Sequence, residues 1–514
     1  MRVLFGVLYC HIASFIFMTQ TDVITISESI FSHIGRIADD MQLPCYAVGG
    51  YVRDRLLGKP CKDIDVMVVG EPIAFAEAVK TRLGGYGFAV FERFRTAQLM
   101  LNDAALGELK LEFVGARKES YNHDSRKPIT DVGTLEDDLS RRDFTVNALA
   151  LSLNKETFGD LVDLFGGRAD MEKRMLRTPL DPIATFSDDP LRMMRAARFA
   201  SKLGFTLAPN LLPAMQQLAK RIKIVSQERI TDELLKLMQT PQPSIGLDIL
   251  FRAKILDEVF PELPVMAGVE QVDGMGHKDT FYHTLKVVDN CAAMSDKLWL
   301  RMSALLHDIG KPRTKRFTPG HGWSFHGHDA LGANMLPKVF KRMKFPMEPL
   351  PYVQKMVRMH LRPIPLSRDE ISDAAIRRLM FEAGDDLDDL MTLCRADVTS
   401  KNPKRVQRIL HNFAVVEAKV ADVAEKDKWA KWRPPVNGNE IMEMFALPEG
   451  KTVGLLKKAM ENAILDGIIP HERDAAIEFL KKTFDEFQSQ PLPPQTQRRA
   501  EAQATSGDIT HDGD

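Results

Sequence analysis

The sequence predicts a multidomain α+β protein, in which a small mixed sheet near the N-terminus is followed by a long series of helices. The 514 residues exceed what one hydrophobic core accommodates and correspond to roughly three or four domains. Residues 46–70 contain two strand-like runs around a glycine turn, whereas the amphipathic segments that follow residue 176 read as helices. The apolar fraction of 44% is that of a soluble globular protein.

Net charge and cysteine content limit the classes of protein to which this chain can belong. The formal net charge is −1, so a polyanionic partner must be met by local basic surfaces and not by the field of the whole chain. The cysteines form no CxxC pair, which argues against a zinc ribbon or a disulfide framework and predicts a cytoplasmic protein. Residues 3–18 are apolar but short for a membrane span, and we interpret them as a leader or a misassigned start, with no membrane association.

The most informative stretch, YAVGGYVRDRLLGKPCKDIDVMVVG, begins at residue 46. It reads as a strand, a turn at Gly49 and Gly50, a short basic helix start and a second strand. Asp63 and Asp65 lie two apart in that strand, so their carboxylates project to the same side. A hard divalent ion such as Mg2+ relieves their mutual repulsion. Glycine amides and Arg53 suit phosphate, and the combination predicts metal-assisted nucleotidyl transfer.

The following segments extend the predicted sheet domain. Residues 73–83 read as a helix, residues 89–101 as strand-like segments and residues 109–117 as a strand. Glu112 in this last strand is a candidate third carboxylate, with a surface charge as the alternative. Residues 118–135 are polar, which predicts a mobile loop near the site.

A helix predicted over residues 186–205 begins with two aspartates and carries basic residues at three- and four-residue steps. Asp189 and Arg192 would present a carboxylate acceptor and a guanidinium donor on one side. This fork matches the pairing edges of cytosine and adenine, and it leaves unpaired polar groups against uracil and guanine. The alternative for the basic residues is a solvated stripe, which we accept for Lys202.

Several motifs together resemble the nucleotidyltransferases that include CCA-adding tRNA enzymes and bacterial poly(A) polymerases. They are GGYVRDRLLG with DID, RRDFTVNALA, DLFGGRADMEKRMLR, DDPLRMMRAARF and SQERITDELLKLM. The resemblance implies Mg2+ held by Asp63 and Asp65 and supports Glu112 as the third carboxylate. It also implies tRNA, ATP and CTP as partners. The implied nucleotide contacts are Gly49, Gly50, Arg53, Arg142, Asp143, Asp189, Arg192, Arg195 and Arg198, while Glu228, Arg229 and Glu233 would brace the preceding helix.

A second set of motifs places histidines and aspartates on helices, and HDIGK is the most specific of them. The set resembles the HD phosphohydrolase superfamily, whose imidazole and carboxylate ligands suit a divalent transition metal. The resemblance implies that His283, His307, Asp308 and Asp397 bind the first metal, with His328 and His360 available for a second. A purely structural domain is the alternative.

These observations predict template-independent addition of CCA to tRNA 3′ ends from CTP and ATP, with accessory HD phosphohydrolase activity. The alternatives are a poly(A) polymerase, an A-adding or CC-adding enzyme, and, from another class, an HD phosphohydrolase acting on RNA ends or nucleotides. The predicted segments are a leader at 1–20, a nucleotidyltransferase head at 21–175, a helical neck with the base-reading helix at 176–264, an HD domain at 265–400, a helical region at 401–487 and a disordered tail at 488–514.

Overall fold

A computed structural model describes residues 23, 24, 26, 29–103, 107–120, 129–364, 372–400, 402–426 and 434–489. The predicted leader at 1–20 lies outside these residues, as does most of the predicted tail. The chain forms two compact units, which are divided between Arg358 and Met359. A mixed sheet accompanied by many helices confirms the predicted α+β class.

In the described part of the first unit, fifteen strands form the sheets. Their bounds are β1 Cys45–Val48, β2 Asp63–Val68, β3 Tyr86–Phe91, β4 Thr96–Asp103, β5 Gly107–Gly115, β6 Arg117–Ser120, β7 Ile129–Val132, β8 Ala150–Ser152, β9 Leu161–Val162, β10 Met175–Leu176, β11 Thr206–Leu207, β12 Gln271–Val272, β13 Met275–Gly276, β14 Arg316–Thr318 and β15 Gly322–Ser324. Seven of them form one sheet in the order β3-β4-β5-β2-β1-β8-β9. Within it β2 and β5 are parallel, and the other neighbours are antiparallel.

The helices of the first unit follow the sheet and then dominate the chain. Their bounds are α1 Ser29–Asp40, α2 Gly50–Leu56, α3 Pro72–Leu83, α4 Leu135–Ser140, α5 Gly167–Glu172, α6 Pro182–Asp188, α7 Leu191–Leu203, α8 Leu211–Leu218, α9 Gln227–Met238, α10 Pro243–Arg252, α11 Ile255–Val259, α12 Thr280–Met294, α13 Leu298–Leu306, α14 Lys311–Thr314, α15 His328–Met343 and α16 Leu350–Met359. The last residue of α16 already belongs to the second unit.

The register between β2 and β5 positions the carboxylates. Ile64, Val66 and Val68 are buried on one face of β2, which anchors that strand and leaves the alternate residues on the other face. Parallel pairing then sets Asp65 directly beside Glu112. A sequence that alternates apolar and acidic residues therefore builds one carboxylate-bearing face.

Two local expectations were wrong in detail. Residues 186–205 do not form a single helix: α6 ends at Asp188 and α7 begins at Leu191, with Asp189 in an extended conformation between them (φ −136°, ψ 101°). The cause is Pro190, whose ring disfavours helical geometry at the residue before it. Residues 118–135 are not simply a loop, because β6 and β7 pair as an antiparallel hairpin. The residues between those strands lie outside the described ones.

The second unit is helical in its described part. Its helices are α17 Asp373–Ala383, α18 Leu387–Ala396, α19 Pro403–Lys426, α20 Gly438–Phe445, α21 Lys451–Leu465 and α22 Arg473–Ser489. The last three share an apolar core in which Ile441, Leu456, Met460 and Leu480 are buried. Among the described residues, no helix combines the length and apolarity that crossing a membrane requires.

Candidate active site

A cavity of about 680 Å³ opens in the first unit beside the carboxylate-bearing face of the sheet. We call it the arginine-rich cavity, because basic side chains outnumber acidic ones among its lining residues by nine to six. The predicted residues that line it are Gly49, Gly50, Arg53, Asp65, Glu112, Arg142, Asp143, Asp189, Arg192, Arg195 and Arg198. The positive balance and the size suit a nucleoside triphosphate.

The carboxylates of Asp63, Asp65 and Glu112 are the type of ligand that a hard cation prefers. Asp65 is half-buried, whereas Asp63 is exposed at the first position of β2 and is not among the lining residues. Burial, helped by the neighbouring Glu112 and Asp63 and opposed by Arg142, raises the pKa of Asp65 to about 6. A bound cation relieves the repulsion between neighbouring carboxylates, so the donor set fits Mg2+.

The glycine turn lies against this site. Gly49 has a φ of 70°, which is the left-handed region that favours glycine. A Cβ atom at Gly49 would stand 2.7 Å from a terminal nitrogen of Arg142 and 3.7 Å from Oδ2 of Asp65. The turn therefore brings backbone, guanidinium and carboxylate together in a space that a side chain would fill.

Arg53 is not a free charge but part of a buried network. It is 3% exposed, and its Nε donates to Oδ1 of Asp54 at 2.7 Å. A terminal nitrogen donates to Oδ1 of Asn147, whose side-chain amide donates to Oδ1 of Asp143 at 2.9 Å. These bonds fix the guanidinium at the wall of the cavity before any ligand arrives.

A fully buried carboxylate that the sequence analysis missed orients the arginine pair. Asp138, on α4, accepts from Arg141 and Arg142, and the bond from a terminal nitrogen of Arg142 is 2.9 Å. Burial opposes ionisation of Asp138, but the two guanidiniums outweigh it and lower its pKa. The spacing of three and four residues is the sequence signal that predicts such pairs.

Asp143 accepts hydrogen bonds from other groups of the protein. Its Oδ2 accepts from Nε of Arg195 at 2.7 Å, and its Oδ1 accepts from the backbone N–H of Phe144 at 2.9 Å. Burial opposes ionisation of Asp143, but Arg195 and Asn147 outweigh it and lower its pKa. The side chain that was predicted to contact the nucleotide thus holds Arg195 in place at the cavity.

The ring of Phe199, which the sequence analysis did not single out, contacts three guanidiniums. The Cζ atoms of Arg53, Arg195 and Arg198 lie 5.2, 5.3 and 4.3 Å from the centroid of its ring. The ring is 6% exposed and lines the arginine-rich cavity. Its negative face offsets part of the repulsion among like charges.

The predicted base-reading pair is positioned by other groups. Oδ1 of Asp189 accepts from the backbone N–H of Leu191 at 3.1 Å, and Oδ2 accepts from Arg229 at 3.1 Å. Arg192 is 9% exposed and donates to the carbonyl oxygens of Arg141 at 2.6 Å and Thr185 at 3.2 Å. Both side chains line the same cavity with their conformations fixed.

The bracing role expected of α9 is seen for two of its three residues. Glu233 accepts from Nε of Arg198 at 2.6 Å, and Arg229 pairs with Asp189. Glu228 instead forms an ion pair with Lys344, the residue that follows α15. Glu228 is exposed in the first turn of α9.

A second cluster in the first unit surrounds Asp308. Its carboxylate lies 3.7 Å from Nε2 of His283, 3.2 Å from Nε2 of His307 and 3.3 Å from Nε2 of His328. Asp308 is fully buried; burial opposes its ionisation, but His307, His328 and Lys311 outweigh that effect and hold its pKa well below the ordinary value.

The other ring nitrogens indicate how this cluster binds a cation. Nδ1 of His307 lies 2.8 Å from the carbonyl oxygen of Ala304, and Nδ1 of His328 lies 2.7 Å from that of Phe325. In the neutral imidazoles, donation to these carbonyls would leave the Nε2 lone pairs directed toward the carboxylate, an arrangement that a metal ion stabilises. The donor set therefore fits a divalent transition metal. Lys278 contacts Nδ1 of His283 at 2.8 Å, and Lys311 contacts Asp308 at 2.6 Å.

The remaining predicted ligands lie in the second unit. His360 is 1% exposed, and its carbonyl oxygen accepts from Sγ of Cys394 on α18 at 3.1 Å. Asp397 directly follows α18. That these two residues join the cluster around Asp308 stays a prediction.

Three family models match the chain in succession. A poly(A) polymerase head domain matches residues 45–177, a probable RNA and SrmB binding site of polymerase A matches residues 204–266, and an HD domain matches residues 280–402.

Curated relatives cover most of the chain. It is 33% identical over 426 residues to the A-adding tRNA nucleotidyltransferase of Deinococcus radiodurans, covering 81% of this chain and 90% of the relative. It is 31% identical over 446 residues to the CC-adding tRNA nucleotidyltransferase of Thermus thermophilus, covering 84% and 92%. It is 37% identical over 313 residues to the multifunctional CCA protein of Hahella chejuensis, covering 59% and 68%.

Solved structures share the fold. A CCA-adding enzyme in complex with ATP superposes with a TM-score of 0.59 at 20% identity, covering 89% of this chain and 95% of that one. The Thermotoga maritima CCA-adding enzyme complexed with tRNA gives a TM-score of 0.55 at 19% identity, covering 88% and 95%. With relatives above 30% identity over nearly their whole length, the chain belongs to the tRNA nucleotidyltransferase family that combines a poly(A) polymerase head domain with an HD domain.

Proposed function

We propose that this protein adds the complete CCA sequence to tRNA 3′ ends, using CTP and ATP without a nucleic-acid template, in the cytoplasm. The observation that carries the proposal is that one cavity contains both the carboxylate face, with Asp65 and Glu112, and the base-reading pair, Asp189 and Arg192. A nucleotide held there would have its triphosphate and its base contacted at once. Extension of truncated tRNA by purified protein with single labelled nucleotides tests the proposal.

In this mechanism the protein residues supply orientation and charge. When bound, Mg2+ supplies activation of the terminal hydroxyl and stabilisation of the leaving pyrophosphate. Asp63 and Asp65 would hold it, with Glu112 as the third carboxylate. Arg142, Arg195 and Arg198 would contact the triphosphate from positions that their carboxylate partners already fix, so little conformational entropy is lost on binding.

Two narrower activities remain as alternatives within the same chemistry. The relatives from Deinococcus radiodurans and Thermus thermophilus carry the names of A-adding and CC-adding enzymes, so the chain could complete only one part of CCA. A poly(A) polymerase would use ATP at every step. The head-domain motifs do not separate these activities, and the order of incorporation does.

Phe199 gives a prediction about triphosphate binding. Phe199→Leu keeps an apolar side chain of similar size but removes the ring face, and each cation–π contact contributes about 0.5–2 kcal/mol. The Michaelis constants for CTP and ATP should rise about tenfold, with base preference unchanged. Phe199→Tyr should remain close to wild type. Phe144→Leu is the matched control, because that ring packs edge-on against Phe199 at 5.9 Å between centroids and is also buried. Equal losses in both leucine variants would show that only core packing was disturbed.

We also infer an accessory phosphohydrolase activity in the HD domain, directed at a cyclic or terminal phosphate on RNA. The cluster around Asp308 supports it, because neutral imidazoles and a carboxylate can hold an ion beside Lys278 and Lys311, which suit a phosphate group.

Asp308→Asn, which preserves shape, should remove bound transition metal and phosphoester cleavage but leave nucleotide addition within about twofold of wild type. Elemental analysis and a cleavage assay on RNA with a cyclic phosphate end measure the two effects. His326→Ala, an exposed histidine of the same segment, is the control. Wild-type protein that binds no metal and cleaves no phosphoester would make this domain structural.

A further inference from the structure

A second cavity in the first unit lies at the carboxyl ends of β2 and β5. Its volume is about 280 Å³, near the lower limit for a small-molecule site. Its lining includes Arg93, Phe94, Arg95, Arg117 and Val132. We call it the Phe94 cavity.

Its composition favours a flexible polyanion that carries rings. Phe94 is 60% exposed and Val132 is 59% exposed, so both present apolar surface to solvent at the cavity. The Cζ atom of Arg93 lies 5.9 Å from the ring centroid of Phe94. The described lining residues include three arginines and one acidic residue, Asp131, and one of the arginines, Arg95, forms an ion pair with Glu71. An exposed ring amid guanidiniums is the combination that binds single-stranded nucleic acid, by stacking the base and pairing the phosphate.

The position of the Phe94 cavity indicates which ligand it binds. Arg117 lines both the Phe94 cavity and the arginine-rich cavity, so the two share a wall. Glu112 and Val114 of β5 line the arginine-rich cavity, and Gly115 at the end of the same strand lines the Phe94 cavity. At about 3.3 Å per residue, the step from Glu112 to Gly115 is about 10 Å. Gly115 lies on the opposite face of β5 from Glu112, against Pro72 at the start of α3, so an RNA strand extended beside Glu112 would reach Phe94 by passing around the carboxyl end of β5 at Arg117.

We propose that the Phe94 cavity binds a nucleotide of the RNA strand just upstream of the 3′ end, with its base on Phe94 and its phosphates near Arg93 and Arg117. The proposal rests on nucleotide addition as the function of the arginine-rich cavity. It assigns the cavity to the RNA substrate and not to CTP or ATP. The head domain would then contact the RNA end directly, close to the reacting hydroxyl.

The test combines protein variants with RNA primers that lack one base at successive positions before the 3′ end. For the wild-type protein, loss of the base that occupies the cavity should raise the Michaelis constant for RNA about tenfold. Phe94→Leu should raise it about tenfold for intact RNA, with no further loss for the primer that lacks that same base. The Michaelis constant for CTP should stay unchanged, and Phe94→Tyr should behave as wild type.

Phe91→Leu is the matched control, since Phe91 is a neighbouring aromatic residue, 45% exposed, that does not line the cavity. The effects of Phe91→Leu and of base removal on the Michaelis constant for RNA should be independent and therefore multiply. Multiplicative effects at every RNA position in Phe94→Leu would overturn the proposal, as would a raised Michaelis constant for CTP in place of RNA. Failure of the proposed function itself is distinct, because wild-type protein would then extend no primer.

Discussion

Asp65→Asn should reduce nucleotide addition by about a thousandfold or more. The carboxylate is half-buried beside Glu112, and replacing it with a neutral amide removes a ligand from an ion whose stabilisation of the transition state amounts to several kcal/mol. Asp63→Asn should have a comparable effect, although that residue is exposed and stands at the first position of β2. The measurement is incorporation of labelled CTP or ATP onto tRNA in the presence of Mg2+.

Variants of Glu112 and Glu108 test whether the loss of activity is specific to the carboxylates at the site. Both are acidic residues of β5, and Glu108 is exposed and accepts from the hydroxyl of Tyr86. Glu108→Gln should leave addition near the wild-type rate, whereas Glu112→Gln should lower it strongly if Glu112 is the third carboxylate. RNA binding should persist in all four variants, because the carboxylates serve the ion and not the core. Near-normal addition by Asp65→Asn would refute the metal assignment.

Arg192→Lys should relax the choice of base more than it weakens triphosphate binding. Lysine keeps the positive charge but lacks the planar guanidinium, so it loses the paired donors that would meet cytosine or adenine. A site built on such hydrogen bonds discriminates by roughly 10⁴-fold, and much of this preference for CTP and ATP over UTP and GTP should disappear. Misincorporation of UTP and GTP onto truncated tRNA is the measurement.

Two further variants separate base reading from its support. Arg229→Met removes the ion pair to Asp189 while retaining the carboxylate, and Asp189→Asn changes the acceptor itself. The first should loosen selectivity slightly, and the second should relax it as strongly as Arg192→Lys does. Lys202→Ala, a loss of charge on the same helix, should leave base preference unchanged whatever it does to affinity. Selectivity that survives both Arg192→Lys and Asp189→Asn would place base reading elsewhere.

The sequence predicted the α+β class and the motifs of the site because local spacing determines them. Two carboxylates two residues apart in an apolar strand share a side in any sheet. The neighbourhood of Glu112 could not be derived this way, since it depends on the parallel register of β5 with β2.

The supporting residues were harder to predict, because their roles arise from contacts between distant segments. Asn147 links Arg53 to Asp143, and Phe199 gathers guanidiniums from both α2 and α7. The four-residue spacing of Arg195 and Phe199 on α7 predicts their contact, but nothing in the sequence indicates that Arg53 of α2 meets Phe199 or Asn147. The break between α6 and α7, by contrast, was readable from Pro190, which weakens the helix at Asp189.

The most direct test of the central claim is incorporation of each single nucleotide onto tRNA that ends before, within or after the CC sequence. We predict CTP alone on tRNA that lacks CCA or ends in its first C, ATP alone on tRNA that ends in CC, and no addition after A. In the proposed function one Asp189 and Arg192 pair accepts both bases, so the growing end would have to reshape the cavity between steps. Repeated addition of ATP to RNA ends of any sequence, or addition of only C or only A, would contradict complete CCA synthesis by this protein.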